Sequence, residues 1–261
     1  MGYNYESVKV EIEQGIFWLT LNRPDVRNAL DATMLADIDT AISEAEENDD
    51  VRVIVIQGAG EKSFAAGADI RQLNERKPLE AIAPGMQGIY NKIENCDKVT
   101  IAAVHGFALG GGCELALACD IRIATKKAKM GLPELNLGIV PAAGGTQRLA
   151  RMVGKGRALD MILTGKIIDG EEAERIGLVT YYVPEDESLE EKISQVTKDI
   201  LKKGPVALML AKKAVHKGYD IDTDTALWIE KLSQTVAFGT EDKHEGTMAF
   251  LEKRSAEFKN K

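Results

Sequence analysis

The sequence has few of the residues that carry metal or redox chemistry. Its 261 residues include only three cysteines and three histidines. Cys96, Cys113 and Cys119 are odd in number and form no CxxC pair, so we expect neither a disulfide framework nor a zinc site. No HExxH motif or paired His/carboxylate spacing marks a metal site either. The sequence therefore predicts reduced thiols and no bound metal.

Basic charge and long apolar runs are also scarce. Lys+Arg 33 against Asp+Glu 41 gives a formal net charge of −8, which argues against general nucleic-acid binding. No apolar run approaches the ~18 residues of a membrane span. The first fifteen residues lack both an apolar signal core and an Arg-rich transit pattern. We therefore expect a cytoplasmic protein without a nucleic-acid or membrane partner, in which an anionic ligand would need a local basic cluster.

The 24 glycines do not form a familiar nucleotide loop. GAGEKS (58–63) has Ser63 where a dinucleotide fingerprint needs its third glycine, and the FAAGADI after it is not an obvious helix. GKGRAL (154–159) lacks the Ser or Thr that follows lysine in a Walker A loop. The GxSxG elbow of a serine hydrolase is absent. Nucleotide-dependent and serine-hydrolase chemistry are therefore disfavoured.

Hydrophobic periodicity predicts alternating strands and helices up to about residue 185, followed by helices alone. The predicted strands are 8–12, 16–22, 51–58, 99–106, 120–125 and 178–183. The predicted helices are 30–47, 86–95, 112–119, 146–153, 156–163, 171–176, 188–203, 205–217, 223–238 and 241–254. The first of these helices has Asp31 as its cap. This order indicates an α/β core with much parallel sheet and a helical C-terminal region, and no strict internal repeat is visible.

Two turns rich in small residues could offer backbone N–H groups to a ligand. One is SFAAGAD (63–69), and the other is Gly110-Gly111-Gly112 at the start of an apolar helix. The first N–H groups of a helix have no intrahelical acceptor and lie at its positive dipole end. Two such groups aimed at one oxygen would form an oxyanion hole. The alternative is that the small residues only allow a helix to approach a sheet.

Two glutamates stand in unusual positions beside these turns. Glu114 lies in the first turn of a helix that is otherwise apolar on all sides and is therefore expected to be buried. Glu134 follows Pro133 at a predicted helix start. Each carboxylate could merely satisfy a helix N-terminus or an arginine. Together, beside the two turns, they describe a general acid/base pair next to an oxyanion site.

An ordered set of segments resembles the crotonase superfamily, and within it the enoyl-CoA hydratases. The segments are SFAAGADI, HGFALGGGCELALACDIRIAT, AKMGLPELNLGIVPAAGGTQRLARMVG, TGKIIDGEEAERIGLV and GTMAFLEKR. The resemblance implies a spiral of repeated ββα units with a C-terminal helical region used in trimer formation, often as a dimer of trimers. We accordingly place a catalytic core at residues 1–195. The region for oligomerisation and completion of the CoA pocket is then residues 196–261.

The resemblance also implies a reaction. Family members bind acyl-CoA thioesters and stabilise an enolate, so the N–H groups of Ala68 and Gly111 would form the oxyanion hole. Glu114 would activate water for attack on Cβ, and Glu134 would deliver a proton to Cα. Coenzyme A is then part of the substrate, and no separate cofactor is expected.

Further positions match the CoA path of the family. Basic residues at two of them, Arg27 and Arg71, would supply the local positive charge near the nucleotide. Phe250 and Lys253 match C-terminal residues that can reach a CoA on a neighbouring subunit; the alternatives are a core aromatic for Phe250 and a solvated charge for Lys253, the latter as open as binding. The full predicted CoA-binding set is Arg27, Ala29, Ala66, Ala68, Asp69, Ile70, Arg71, Gly111, Phe250 and Lys253.

Several alternatives remain open from the sequence. AKMGLPELNLGIVP and the C-terminal region resemble methylglutaconyl-CoA hydratases of leucine breakdown, some of which bind RNA through a lysine-rich helix. The matching helix here, LDATMLADIDTAISEAEEN, is acidic, so RNA binding is not expected. Short-chain enoyl-CoA hydratases of fatty-acid metabolism match about equally well. An enoyl-CoA isomerase, which commonly retains one glutamate, and a non-catalytic acyl-CoA- or RNA-binding protein are the remaining readings.

Overall fold

A hairpin opens the chain in the computed structural model, which describes residues 4–260. Strand β1 (Val8–Glu13) runs antiparallel to β2 (Ile16–Leu21), with Val8 opposite Leu21. The turn between them needs positive φ at Gln14 and Gly15, and the glycine adopts this without steric cost. The hairpin predicted from alternating residues is confirmed.

Four further strands extend β2 into a mostly parallel sheet. They are β3 (Val53–Gly58), β5 (Val99–Val104), β7 (Ile121–Thr125) and β10 (Tyr181–Val183). The sheet order is β1-β2-β3-β5-β7-β10, and every pair after the hairpin is parallel. Their nearly continuous apolar runs fit a sheet that is covered on both faces. The predicted α/β core is confirmed.

A second, smaller sheet was not predicted from the sequence. Its strands are β4 (Ser63–Ala65), β6 (Phe107–Leu109), β8 (Lys129–Gly131) and β9 (Ile168–Asp169). Strands of two or three residues are too short to show a period of two, so periodicity could not reveal them. Successive chain segments place β3, β5 and β7 in the large sheet and β4, β6 and β8 in the small one. This confirms the ββα repeat that the family resemblance implied, although no sequence repeat is visible.

The helices follow the predicted positions closely, apart from α2, which was missed. They are α1 (Ala32–Glu47), α2 (Ile70–Glu75), α3 (Gly85–Asn95), α4 (Gly111–Ala118), α5 (Gly145–Val153), α6 (Lys155–Thr164), α7 (Gly170–Arg175), α8 (Leu189–Leu201), α9 (Pro205–Gly218), α10 (Thr223–Phe238) and α11 (Glu241–Glu252). Asp31 caps α1 as expected, since its carboxylate accepts the Met34 N–H at 2.8 Å. Helix α2 has only six residues, which is too few for a clear helical period.

The core has two parts, one on each face of the large sheet. The larger cluster joins the sheet to α1, α3, α4 and α5, and includes Phe17, Ile56, Tyr90 and Leu115. On the other face, Ile193 and Val196 of α8 pack with buried residues of the sheet. The predicted boundary between residues 195 and 196 therefore falls inside α8, and the division into two parts stays a prediction.

Helix α9 contacts the core through polar side chains around Asp120. Asp120, which follows α4, pairs with Lys212 at 2.7 Å and with His216 at 2.9 Å, both from α9. The His216 side chain thus contributes to the contact between α9 and the core. Among residues 4–260, no helix combines the length and hydropathy needed to cross a membrane.

Candidate active site

A cleft of about 390 Å³ lies where α4 meets the small sheet and the loop that begins with Glu134. All four residues predicted to be catalytic line it: Glu114, Glu134, Ala68 and Gly111. The remaining wall is mostly apolar and comes chiefly from two stretches, residues 70–87, which include α2 and the start of α3, and residues 133–143. Ala68 and Glu134, which are 66 positions apart in the sequence, thus line the same cleft.

The three glycines before Glu114 serve different physical purposes. Gly110 has φ +52° and ψ −125°, a conformation that residues with a side chain rarely adopt. A Cβ on Gly112 would lie 2.0 Å from the carbonyl oxygen of Ala65, so glycine there lets α4 pack against β4. The packing interpretation is therefore right for Gly112, whereas Gly111 opens onto the cleft.

Two backbone N–H groups in this cleft have no hydrogen-bond acceptor within residues 4–260. Gly111 is the first residue of α4, where helical N–H groups have no partner in the helix. The Ala68 N–H is also unpaired, because the flanking Gly67 carbonyl and Asp69 N–H make the bonds to Leu30. Both groups can therefore donate to a ligand in the cleft.

Gly67 brings the two loops that carry these N–H groups together. Its φ is +97°, and a Cβ there would lie 2.9 Å from the Leu109 carbonyl oxygen and 3.6 Å from the Gly111 nitrogen. Glycine is required both by this conformation and by the close approach. The loops containing Ala68 and Gly111 therefore form one continuous wall of the cleft.

Glu114 is a buried carboxylate that is held by one oxygen. It is only 2% exposed, and its Oε1 accepts the N–H groups of Ala143 and Gly145, each at 2.8 Å. No described residue hydrogen-bonds to its Oε2, while Glu114 lines the cleft. Burial raises the pKa of Glu114, and the two backbone N–H groups oppose this shift. The carboxylate is thus fixed, with a second oxygen available to a water molecule.

Glu134 has a less satisfied environment. It begins a 3₁₀ turn (Glu134–Leu137), and its buried Oε2 has no hydrogen-bond partner in the described part of the chain. Burial raises the pKa of Glu134 to about 7, and the charge of Glu114 acts in the same direction. This shift favours the protonated form of Glu134 relative to that of an exposed carboxyl. The two carboxyls of this cleft therefore lie in unlike environments, one held by two N–H groups and the other with an unpaired oxygen.

The predicted CoA-binding residues do not all reach this cleft. Ala66, Ala68, Ile70 and Gly111 line it. The Asp69 carboxylate instead caps α2 by accepting the N–H groups of Arg71 and Gln72.

The other predicted CoA contacts lie apart from the cleft. Arg27 lines a neighbouring pocket with Lys62. The Ala29 carbonyl accepts a hydrogen bond from Arg23, and Arg71 is exposed. Phe250 is 83% exposed, so it is not a core aromatic within this chain, and Lys253 is exposed just after α11. Their roles in CoA binding stay predictions.

Sequence reasoning missed the residues that support the two functional groups. Ala143 and Gly145 hold Glu114, and the buried Tyr90 hydroxyl donates to the Gly111 carbonyl at 2.7 Å. The run of small residues in PAAGG (141–145) was a signal for close backbone approach that could have identified the first pair. Nothing local in the sequence distinguishes Tyr90. Within residues 4–260, no group of three or more His, Cys, Asp or Glu side chains is placed to hold a metal ion.

Comparison with known proteins places these features in context. The profile of the enoyl-CoA hydratase/isomerase family matches residues 11–261. The sequence is 44% identical over 258 residues to the short-chain-enoyl-CoA hydratase of Clostridium acetobutylicum, covering 98% of both chains. It is 44% identical to the crotonyl-CoA hydratase of Syntrophomonas wolfei, covering 98% of this chain and 99% of that one. The crystal structure of an enoyl-CoA hydratase from Bacillus anthracis superposes with a TM-score of 0.94 at 37% identity, covering 98% of this chain and 100% of that one.

Proposed function

The chain belongs to the enoyl-CoA hydratase/isomerase family and is an enoyl-CoA hydratase, a hydro-lyase, and we propose that Ala68, Gly111, Glu114 and Glu134 carry out its reaction. The observation that carries this proposal is the meeting of two unlike carboxyl groups and two unpaired N–H groups in one cleft. The reaction adds water across the 2,3 double bond of a 2-enoyl-CoA thioester. We further propose short-chain substrates, for which the names of the two curated relatives provide support.

The two N–H groups polarise the thioester. Its carbonyl oxygen accepts hydrogen bonds from Ala68 and Gly111, and the positive end of the α4 dipole lies on the same side. An unsaturated thioester is a poor acceptor for water until this oxygen can take up negative charge. One donor in a known oxyanion hole contributes roughly 10²–10³-fold to kcat, so this pair is a large part of the rate.

The two carboxyl groups divide the transfer of protons. Ionised Glu114 takes a proton from the water whose oxygen bonds to Cβ, while the double-bond electrons shift toward Cα and the thioester oxygen. Protonated Glu134, whose pKa is raised to about 7 mainly by burial, then forms the new Cα–H bond. Exchange of protons with solvent returns both carboxyls to their starting forms. No electrons leave the substrate, so the proposed reaction uses no cofactor beyond the CoA of the substrate.

The presence of both carboxyls favours hydration over double-bond isomerisation. Moving a double bond requires a proton to leave one carbon and enter another, which a single carboxyl can perform in sequence. Addition of water uses a base for the water and an acid for Cα, roles that two carboxyls can divide between them. The cleft offers both, from Glu114 and Glu134. Incorporation of ¹⁸O from labelled water into the product separates the two reactions.

Association with further copies of the chain is a separate part of the proposal. Helix α10 exposes a row of large apolar side chains that includes Trp228, Leu232 and Val236, each more than half exposed. Burial of such a row in a trimer or a dimer of trimers would stabilise the assembly. Size-exclusion chromatography with light scattering measures this directly, and a monomer would contradict it. A cytoplasmic location is also proposed, supported by three cysteines that are all free and buried.

The test of the reaction is the loss of the ultraviolet absorbance of the conjugated thioester when the protein meets crotonyl-CoA. Glu114→Gln and Glu134→Gln should each lower kcat by roughly 10²–10⁴-fold, the range for a positioned acid or base. Glu191→Gln is the matched control. Glu191 is exposed on α8, which packs on the face of the large sheet opposite to α4. A panel with longer enoyl-CoAs and 3-methylglutaconyl-CoA defines the acyl preference. Absence of wild-type turnover on the whole panel would refute the proposed function.

A further inference from the structure

We propose that Arg148 is a positioning residue that holds the loop around Glu114, and that Glu94 of α3 fixes the Arg148 guanidinium in place. This inference rests on the proposed function, because it concerns the geometry of the base in that reaction. Neither residue lines the cleft, so both act through the peptide groups that contact Glu114.

The Arg148 guanidinium connects helix α3 with the loop before α5. The side chain is nearly buried, and its Nη1 donates to the Ala143 carbonyl at 3.0 Å. Its Nε and Nη2 donate to the two carboxylate oxygens of Glu94 at 3.1 and 2.8 Å, and Nη2 also donates to Asn91 at 2.7 Å. A planar guanidinium can make this paired contact and still reach a carbonyl, which a lysine ammonium cannot reproduce.

The loop is shaped around this guanidinium. Gly144 has φ +105°, and a Cβ there would lie 2.0 Å from the Nη1 atom of Arg148. Glycine is therefore required by the backbone conformation and by the arginine directly behind it. The residues on either side, Ala143 and Gly145, are the two whose N–H groups hold Glu114. Displacement of the guanidinium would thus move both donors to the carboxylate.

Electrostatics supports the same connection. Burial is the main cause that raises the pKa of Glu114. The two backbone N–H groups oppose this rise most strongly, and the positive charge of Arg148 is the next opposing effect. The other titratable groups that face Glu114 are Glu134, Tyr90 of α3 and the adjacent Cys113. None of these carries positive charge, so Arg148 supplies the cation that favours an ionised base.

The test compares three variants: Glu94→Gln, Arg148→Lys and Arg148→Met. A displacement of about 1 Å at a catalytic group can cost ~10²-fold, so we expect Arg148→Met to lower kcat by about 10²-fold and the other two by about 10-fold. KM for crotonyl-CoA should change by less than about twofold, because the CoA contacts are untouched. Arg151→Met is the matched control, since Arg151 lies three positions along the same helix and forms an exposed ion pair with Asp220.

Two further readouts separate positioning from simple loss of folded protein. Arg148→Met removes the positive charge that opposes the raised pKa of Glu114, so the acid limb of the pH profile of kcat/KM should move to higher pH. Glu94→Gln keeps that charge, so its acid limb should stay in place. Hydrogen exchange at the amides of residues 143–145 should accelerate by about 10-fold in all three variants, and this measurement needs no turnover. A loss of stability alone would lower activity at every pH equally.

The outcomes separate the inference from the proposed function. If the wild-type protein hydrates crotonyl-CoA but folded Glu94→Gln and Arg148→Lys keep kcat within about twofold of wild type, the inference is overturned and the function stands. Unchanged hydrogen exchange at 143–145 overturns it as well. If Arg148→Met does not fold, the two milder variants decide. If the wild type has no hydratase activity, the exchange data still test whether Arg148 holds the loop.

Discussion

The substitution Gly145→Ala tests how tightly the fold positions the proposed base. Gly145 begins α5, and its φ is not positive, so alanine introduces no backbone strain. A Cβ there would lie 2.8 Å from Glu114 Oε1, 2.9 Å from the Pro141 Cβ and 3.0 Å from a Leu132 methyl. The new methyl group would therefore press directly on the carboxylate that the Gly145 N–H holds.

The expected magnitude follows from these distances. Ordinary van der Waals contact begins near 3.4 Å, so Glu114 Oε1 must move by about 0.6 Å if the other neighbours stay in place. Because a misplacement of 1 Å can cost ~10²-fold, we expect kcat to fall roughly tenfold with little change in KM. Overpacking against Pro141 and Leu132 should also lower the free energy of unfolding by about 1–3 kcal/mol.

The assay is steady-state hydration of crotonyl-CoA, with the folded fraction measured by circular dichroism. Gly156→Ala is the matched control, because Gly156 lies in α6 with no atom within 4 Å of an added Cβ. That variant should keep wild-type kcat and gain about 0.5–1 kcal/mol of stability from the loss of glycine flexibility. A fully folded Gly145→Ala protein with kcat within about twofold of wild type would refute the reasoning about Glu114.

Three further predictions concern other parts of the molecule. Burial raises the pKa of Glu134 from 4.5 to about 7, so this group makes the fold progressively less stable as pH rises from 4.5 to 7. The Tm of Glu134→Gln relative to that of the wild type should therefore increase over this pH interval. A Tm difference that does not change with pH would contradict this. Tyr90→Phe removes the hydrogen bond to the Gly111 carbonyl and should cost about 0.5–1.5 kcal/mol in urea unfolding; an unchanged midpoint would show that the bond contributes nothing. Burial alone would raise the pKa of Asp120, but its contacts with His216 and other partners outweigh burial and hold this pKa below its usual 3.8. The Asp120 carboxylate therefore stabilises the fold above pH 3.8, and this stabilisation is lost as pH falls further. Asp120→Asn should make the Tm depend less on acid pH, and an unchanged pH dependence would argue against this.

Local features of the sequence were sufficient for much of the fold. The alternation of Val8–Glu13 and Ile16–Leu21 determined the hairpin, and the long apolar runs indicated the parallel sheet. The helix that carries Glu114 was recognised as buried because it is apolar on every side, and all its residues are buried. The two glutamates were paired from their positions beside the small-residue turns, whereas the roles of Ala68 and Gly111 required the ordered set of family motifs, since each turn taken alone favoured packing.

Tertiary structure decided what depends on neighbours distant in the sequence. The strands of the small sheet are too short to have a period of their own and exist because their partners pair with them. The two glutamates are the same residue type, and burial in the folded protein raises the pKa of both, while only Glu114 has backbone N–H groups of other residues to oppose the shift. The contact between Arg148 and Glu94 joins residues 54 positions apart, and no local pattern encodes it. The sequence by itself determined which chemical groups are present, whereas three-dimensional packing decided which N–H groups are unpaired and which carboxyl oxygens have hydrogen-bond partners.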